Sequence, residues 1–188
     1  ILAFIDSFCK QHGIDYFINY GTLIGAIRHK GFIPWDDDID LSMTRENYER
    51  FIQLFTQEQS KYKILALETD ERYYNNFIKV VDSTTKIVDT RNTKTYDSGI
   101  FIDIFPMDSF NDTKVIDVCY KLESFKLLSF SKHKNIVYGD SKLKDLIRSF
   151  FWFLLRPISP RYFATQIEQQ IQKYRVKDGK YIAFIPSK

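Results

Sequence analysis

Helical and strand-like periodicities alternate along this chain. Apolar residues recur every three to four positions over residues 1–12, which predicts an opening amphipathic helix. Alternating or short apolar runs predict strands at Tyr16–Asn19, 38–43, 62–67, 76–81, 85–90 and 99–106. Threonine 44 has the features of an N-cap for a helix over the following residues. From about Thr113 the pattern turns helical, with further helices at 141–155 and 160–175.

This order of elements predicts an α+β fold, in which a mixed β-sheet is flanked by helices and followed by a helical region. We expect residues 1–113 to form the core that contains the sheet and residues 114–188 a helical, basic extension of the same domain. A length of 188 residues fits one domain, and 44% hydrophobic and 16% aromatic residues are enough for a sizeable core. A disordered chain is therefore excluded.

An acidic run lies inside one of the predicted strands. Side chains at i and i+2 leave the same face of a strand, so Asp38 and Asp40 lie side by side, about 6 to 7 Å apart at Cα. Two such carboxylates repel each other unless a divalent ion compensates their charge. A solvated loop is the simpler explanation. An EF-hand is excluded, because Leu41 stands where its loop needs Gly and Asn47 where it needs Glu.

A third carboxylate stands alone in an apolar strand. Phe101, Asp103 and Phe105 share one face of the segment 99–106, so we expect Asp103 to be partly buried. A buried carboxylate finds either a basic partner or a metal ion. A salt bridge and a triad with the acidic pair around one or two cations both remain open.

A glycine turn precedes the acidic run. Gly21 follows a short predicted strand and opens a helix from about Thr22. Free N–H groups at a helix start attract anions, and glycine lets the backbone approach a phosphate closely. Arg28 either adds a charge-assisted contact to that phosphate or is an ordinary surface arginine.

Three motifs in this order resemble the LicD family. They are Gly-Thr-Leu-Ile-Gly-Ala-Ile-Arg at 21–28, Ile-Pro-Trp-Asp-Asp-Asp-Ile-Asp at 33–40 and Phe-Ile-Asp-Ile-Phe-Pro at 101–106. The resemblance is dense from Tyr16 to Asp108. Members of the LicD family are phosphocholine transferases of bacterial surface glycans, related to the fukutin-type phosphosugar transferases and sharing the nucleotidyltransferase fold.

The resemblance implies a nucleotidyltransferase-like sheet and a role for each motif. It implies a donor-phosphate site at Gly21 and Thr22, with Arg28 beside it, and a divalent-metal site at Asp38, Asp40 and Asp103, with Asp36 inside the same motif. Magnesium or manganese suits such an all-oxygen site. Asp103 would be a third ligand or the general base. The implied reaction moves a phosphocholine-like group from a CDP-linked donor such as CDP-choline to a saccharide hydroxyl of lipopolysaccharide or teichoic acid.

Two alternative functions remain open. Asp36-Asp37-Asp38 also spells the Asp-x-Asp of nucleotide-sugar glycosyltransferases, and a non-catalytic nucleotide- or glycan-binding domain could retain the same pocket. A choline headgroup favours an aromatic cage, for which the candidates are Tyr16, Tyr20, Trp35, Tyr73 and Tyr74. Family members usually continue beyond the equivalent of residue 188, so we expect the chain to be a fragment.

Charge divides the chain into two unequal halves. Residues 1–113 hold 12 Lys and Arg against 18 Asp and Glu, a net −6, whereas residues 114–188 hold 15 against 6, a net +9. The basic half could meet phosphates, an anionic glycan or lipid headgroups, or be a solvated surface. No nucleic-acid-binding module is present in the sequence, so nucleic acid is not expected as a partner.

The apolar segment 149–155 lies between arginines. It is too short to span a bilayer, so it either packs in the core or, over 148–161, contacts a membrane surface. Cys9 and Cys119 form no disulfide or zinc pattern, which fits a reducing cytoplasm. We therefore expect a cytoplasmic protein, with peripheral contact at the inner face of the membrane as the alternative to core packing.

Overall fold

One mixed β-sheet organises the structure, a computed structural model that describes residues 1–90, 92–139 and 141–185. Its helices are α1 (Leu2–His12), α2 (Tyr20–Ile24), α3 (Arg45–Phe55), α4 (Lys114–Phe130), α5 (Lys142–Leu155) and α6 (Pro160–Tyr174). Its strands are β1 (Phe17–Ile18), β2 (Asp40–Thr44), β3 (Tyr62–Leu65), β4 (Ile78–Asp82), β5 (Phe101–Phe110), β6 (Arg175–Val176) and β7 (Tyr181–Phe184). A π-helical turn, Gly25–His29, continues α2, and His133–Asn135 form a 3₁₀ turn.

The strand order places β5 at the centre of the sheet. The order is β1-β2-β5-β4-β3, with β2 parallel to β5 and β4 antiparallel to it. In this register Asp103 is opposite Asp40 on one side and opposite Lys79 on the other. The predicted mixed sheet flanked by helices is confirmed, and its register brings two of the predicted acidic residues together.

The first core lies between the sheet and two helices. Phe8 of α1 and Phe51 of α3 are buried with their ring centroids 5.6 Å apart, and both pack with Leu41 of β2. The hydroxyl of Thr44 accepts a hydrogen bond from the Asn47 N–H at 3.4 Å, which confirms the predicted N-cap of α3. The cap fixes the point at which β2 turns into α3, directly after the acidic strand.

We had expected a helical C-terminal region, but the structure shows that it also contains two strands. The helices predicted at 141–155 and 160–175 are confirmed as α5 and α6, but β6 and β7 pair with the later half of β5. These strands are two and four residues long and have no fully buried side chain, so they leave no periodic signal in the sequence. The boundary at residue 113 falls between β5 and α4 and stays a prediction.

Two other strand predictions need correction. Residues 85–90 form no strand and contribute only an isolated bridge between Ile87 and Ser98. The Asp82 carboxylate accepts hydrogen bonds from the N–H and the hydroxyl of Thr84, at 3.0 and 2.6 Å, and so bends the chain at the end of β4. The acidic strand also begins later than predicted, at Asp40, so that Asp38 lies in the extended segment before it.

A buried ion-pair cluster joins the early and late parts of the chain. Arg45 of α3 donates two hydrogen bonds to Asp108 of β5, at 2.8 and 2.6 Å, and a third to Glu168 of α6, at 3.1 Å. The Asp108 side chain is fully buried. Because a buried carboxylate needs such compensation, this cluster fixes α6 against the sheet.

Candidate active site

Three carboxylates converge at the start of β2. Asp38 lies in the segment before β2, Asp40 is the first residue of β2, and Asp103 lies in β5. Asp38, Asp40 and Asp103 each offer one oxygen, and these oxygens all lie within 4.8 Å of one another. Asp40 and Asp103 are buried, whereas Asp38 is partly exposed. Oxygens this close can be ligands of one cation, since metal–oxygen distances are about 2.0 to 2.5 Å. The predicted set Asp38, Asp40 and Asp103 therefore fits a hard divalent ion.

A lysine that the sequence analysis missed completes this cluster. Lys79 Nζ lies 2.5 Å from Asp103 Oδ1, and its side chain is almost fully buried. The same ammonium lies 3.4 Å from the centroid of the Phe101 ring, a cation–π contact. Asp103 thus has the salt bridge that we had considered and also belongs to the carboxylate group. The salt bridge and a place among the metal ligands are compatible, because a carboxylate has two oxygens.

The glycine turn is attached directly to the acidic strand. The Asn19 N–H donates to the Asp40 carbonyl at 3.0 Å, and the Asp40 N–H donates to the Thr22 hydroxyl at 2.8 Å. The Asn19 side chain also donates to the Ser42 hydroxyl at 2.8 Å. These bonds place the start of α2 beside Asp40. The hydroxyl hydrogen of Thr22 can still be donated to a ligand oxygen.

A known protein family matches the part of the chain that carries this site. The family described as "LicD/FKTN/FKRP, nucleotidyltransferase domain" matches residues 13–148, which contain the three carboxylates, the lysine and the glycine turn. The chain belongs to the LicD family. No solved structure matches the chain significantly.

Relatives of this LicD-family chain come from bacteria and yeast. Over its whole length the chain is 34% identical to the lipopolysaccharide cholinephosphotransferase LicD of Haemophilus influenzae and spans 70% of that protein. It is 32% identical to an uncharacterised protein of Rickettsia prowazekii, over 70% of this chain and 45% of that one. It is also 32% identical to the mannosyltransferase regulator 4 of Saccharomyces cerevisiae, over 52% of this chain and 8% of that protein.

Asp36 is not one of the three grouped carboxylates. Its carboxylate lies against Gly21, where a Cβ atom on the glycine would overlap it. The absence of a side chain at Gly21 therefore lets the Asp36 carboxylate approach the start of α2, and the phosphate site at this turn stays a prediction. Asp36 as a metal ligand stays a prediction, since the structure places it at the turn.

The backbone immediately before the glycine is strained. Tyr20 has φ 45°, in the left-handed region that non-glycine residues rarely adopt. Its ring is held edge-on against Phe105 and Phe184, with centroids 5.3 and 5.8 Å away. Strain that packing maintains in this way is concentrated at functional sites. Tyr20 was expected only as a possible cage residue, and its conformation could not be inferred from its type.

Arg28 is the predicted site residue that lies furthest toward solvent. It is exposed on the π-helical turn and donates from Nε to His29 Nδ1 at 3.3 Å. Its part in donor binding stays a prediction.

The aromatic candidates separate by burial. Trp35 is 78% exposed in the acidic motif, whereas Tyr73 and Tyr74 are buried. Burial raises the pKa of the Tyr73 hydroxyl well above its usual value, with a smaller contribution from the nearby Asp103, and that hydroxyl donates to the Phe77 carbonyl at 2.8 Å. Tyr73 and Tyr74 are therefore core residues, and Trp35 is the most exposed of the five candidates, of which Tyr16 and Tyr20 are partly buried.

One sequence signal could have found Lys79. The run Phe77-Ile78-Lys79-Val80-Val81 contains one charge among apolar residues, which is the same pattern that identified Asp103. Applied to both strands, that criterion predicts a buried cation and a buried anion in one sheet, and opposite charges of this kind pair.

Proposed function

We propose that this chain is a metal-dependent phosphotransferase that moves a phosphocholine-like group from a CDP-linked donor to a hydroxyl of a cell-surface glycan. The observation that carries the proposal is the convergence of Asp38, Asp40 and Asp103 beside the glycine turn. The printed name of the Haemophilus influenzae relative, a lipopolysaccharide cholinephosphotransferase, supports phosphocholine as the group and a lipopolysaccharide saccharide as the acceptor. In this reaction the pyrophosphate bond of the donor breaks, CMP leaves, and the acceptor oxygen forms a phosphodiester.

Asp38, Asp40 and Asp103 would hold the metal, with Mg²⁺ or Mn²⁺ suited to their oxygens. The ion would supply positive charge against the phosphoryl oxygens, and stabilisation of that charge is the main catalytic demand of phosphoryl transfer. Burial favours the ligand role for Asp103 over the general-base role, because an acceptor hydroxyl arriving from solvent has no access to a fully buried carboxylate.

Lys79 sets the charge balance of the site. Three carboxylates carry −3, and the paired ammonium of Lys79 reduces this to −2. One divalent cation neutralises that remainder, whereas a second would leave the buried cluster positive. We therefore favour one protein-held metal and regard Lys79 as a fixed cation that orients Asp103.

The donor phosphates would lie against the start of α2. Gly21 permits the close approach, and Thr22 can donate its hydroxyl hydrogen to a phosphate oxygen. Asp36 lies where an anion would arrive, so it would have to move away or share the bound cation. The exposed Trp35 would offer a ring face to a quaternary ammonium group.

The geometry favours this function over a glycosyltransferase. An Asp-x-Asp site would use Asp36 and Asp38 together, yet Asp38 is grouped with Asp40 and Asp103, and Asp36 lies at Gly21. A non-catalytic binding domain would have no need for three carboxylates within reach of one ion, whose repulsion costs stability without a ligand.

A donor screen tests the proposal. The purified chain is incubated with Mg²⁺, a saccharide acceptor preparation and CDP-choline, CDP-ethanolamine or CDP-glycerol, and release of CMP is measured by chromatography. We expect release from at least one donor, and more with acceptor than without it. Binding of these donors without any CMP release would favour the binding domain. UDP-glucose and GDP-mannose are run beside them, and release of UDP or GDP with no CMP release from the CDP-linked donors would favour the glycosyltransferase.

A further inference from the structure

Helix α5 presents its apolar face to solvent. Seven of its large apolar side chains are 40% to 73% exposed, namely Leu143, Leu146, Ile147, Phe150, Phe151, Phe153 and Leu154. At about 100° per residue these positions form one continuous stripe along the helix. None of the residues of α5 is buried. A stripe of this size on a protein surface marks an interaction site.

The opposite, polar face of α5 is bonded to the protein. Asp145 accepts hydrogen bonds from the N–H groups of Tyr138 and Gly139, at 3.2 and 2.9 Å, and pairs with Arg148 at 2.8 Å. Further along the helix, Trp152 Nε1 donates to the Ser131 carbonyl at 2.9 Å. These contacts fix the rotation of α5, so its apolar stripe cannot turn toward the core.

The chain segment that contains α5 is basic. Residues 131–161 hold seven Lys and Arg against two Asp, a net +5. By the helical angle, the exposed Lys142 and Lys144 lie on the two edges of the stripe. A second copy docking on this face around a twofold axis would bring like charges together, which disfavours that contact. An anionic bilayer offers both the apolar phase and the opposite charge.

We propose that α5 lies in the surface of an anionic bilayer, with its apolar stripe toward the acyl chains and Lys142 and Lys144 among the headgroups. Fourteen residues give the helix a length of about 21 Å along that surface. A helix of this length is shorter than the hydrocarbon core of about 30 Å, so the proposed contact is peripheral. Within the described part of the chain, no helix is long and apolar enough to cross a membrane. The position of α5 places the contact earlier than the predicted 148–161, since Pro160 and Phe163 are buried. The inference goes beyond the proposed transfer reaction and does not depend on it.

Vesicle binding tests the proposal without metal or donor. The chain is sedimented with vesicles of phosphatidylcholine alone or of equal parts phosphatidylcholine and phosphatidylglycerol. The test variant replaces Phe150 and Phe153 by Ser, and a second replaces Leu143 and Leu146 by Ser, so that a folding defect in one leaves the other. The matched control replaces Val88 and Ile182, two exposed apolar residues outside α5, by Ser. Circular dichroism verifies that each variant is folded.

We expect the wild-type chain and the control to bind the anionic vesicles, and each α5 variant to bind at least about tenfold more weakly. Binding to neutral vesicles should be at least tenfold weaker. Absence of vesicle binding, equal binding by the α5 variants, or equal binding to neutral vesicles would overturn the proposal. Light scattering supplies the remaining outcome: a wild-type dimer that the α5 substitutions dissociate would assign the stripe to a second copy and likewise overturn it.

Discussion

Lys79 Nζ contacts Asp103 Oδ1 across two neighbouring antiparallel strands, at 2.5 Å, and both side chains are shielded from solvent. The pair lies inside the group of carboxylates that would hold a metal ion. A cation is thus already built into the acidic site, and its charge enters any balance with a bound ion.

Removal of this built-in cation should change how metal stabilises the fold. Lys79→Met leaves Asp103 buried without its ammonium, and we expect a loss of about 3 to 5 kcal/mol in the free energy of unfolding. Without Lys79 the three carboxylates keep their full charge of −3, so Mg²⁺ should bind the folded variant more tightly than it binds the wild type. Because a ligand that binds only the folded state stabilises that state, Mg²⁺ should raise the melting temperature of the variant more. Thermal unfolding with and without Mg²⁺ measures both effects.

Two further variants serve as controls for Lys79. Lys79→Arg keeps the charge and should respond to Mg²⁺ as the wild type does. The double variant Lys79→Met with Asp103→Leu removes both charges and should recover much of the stability while losing part of the Mg²⁺ response. An Mg²⁺ shift in Lys79→Met no larger than in the wild type would remove Lys79 from the charge balance of the site.

The glycine turn should act on donor binding. In Gly21→Ala the added Cβ would overlap the Asp36 carboxylate, and it would also occupy the space through which a phosphate reaches the backbone. We expect CDP-choline affinity to fall about tenfold or more, measured by calorimetry. Gly31→Ala is the matched control, because a Cβ there meets nothing within 4 Å.

The double variant Gly21→Ala with Asp36→Ala separates the two effects of the glycine. It removes the overlap with Asp36 and should fold normally, yet it should still bind the donor weakly. Wild-type affinity in that double variant would show that Gly21 only makes room for Asp36 and would move the phosphate site elsewhere.

The ion-pair cluster around Arg45 should matter for stability and not for chemistry. Asp108→Ala leaves the largely buried Arg45 with Glu168 alone, and we expect the free energy of unfolding to fall by about 3 to 5 kcal/mol. Asp97→Ala is the control, since it breaks the exposed pair of Asp97 with Arg72 and should cost about 1 kcal/mol or less. Chemical denaturation compares the two, and equal losses would contradict the structural role given to the cluster.

Both cysteines should be unreactive in the folded protein. Burial raises the pKa of the Cys9 and Cys119 thiols to about 12, so the reactive thiolate is scarce near pH 8 and increases only as the pH approaches that value. A colorimetric thiol reagent at pH 8 should modify neither in the native state and both after denaturation in guanidinium. Rapid modification of a native thiol would show that one of the two helices carrying them is not packed as described.

The spacing of apolar residues predicted most of the helices and longer strands. The strands carrying Asp40 and Asp103 follow from alternation, whereas their pairing in the sheet was only implied by the family resemblance, because a buried carboxylate could equally have met a basic side chain alone. The position of Asp36 could not be predicted, because a loop conformation set by the contact with Gly21 has no periodic signal. The rotation of α5 was equally hidden: spacing predicts an amphipathic helix but not which face the contacts of Asp145 and Trp152 turn inward.

Dependence of CMP release on Asp40 is the most direct measure of whether the three carboxylates hold a catalytic metal ion. Asp40 and Asp38 are proposed as joint metal ligands, so Asp40→Asn or Asp38→Asn should lower Mg²⁺-dependent CMP release from CDP-choline at least about 100-fold with little change in melting temperature. Asp37→Asn, the exposed neighbour outside the carboxylate group, should retain wild-type release. We expect loss of release in Asp40→Asn and on removal of Mg²⁺ by EDTA; undiminished release in a folded Asp40→Asn variant would contradict the metal assignment.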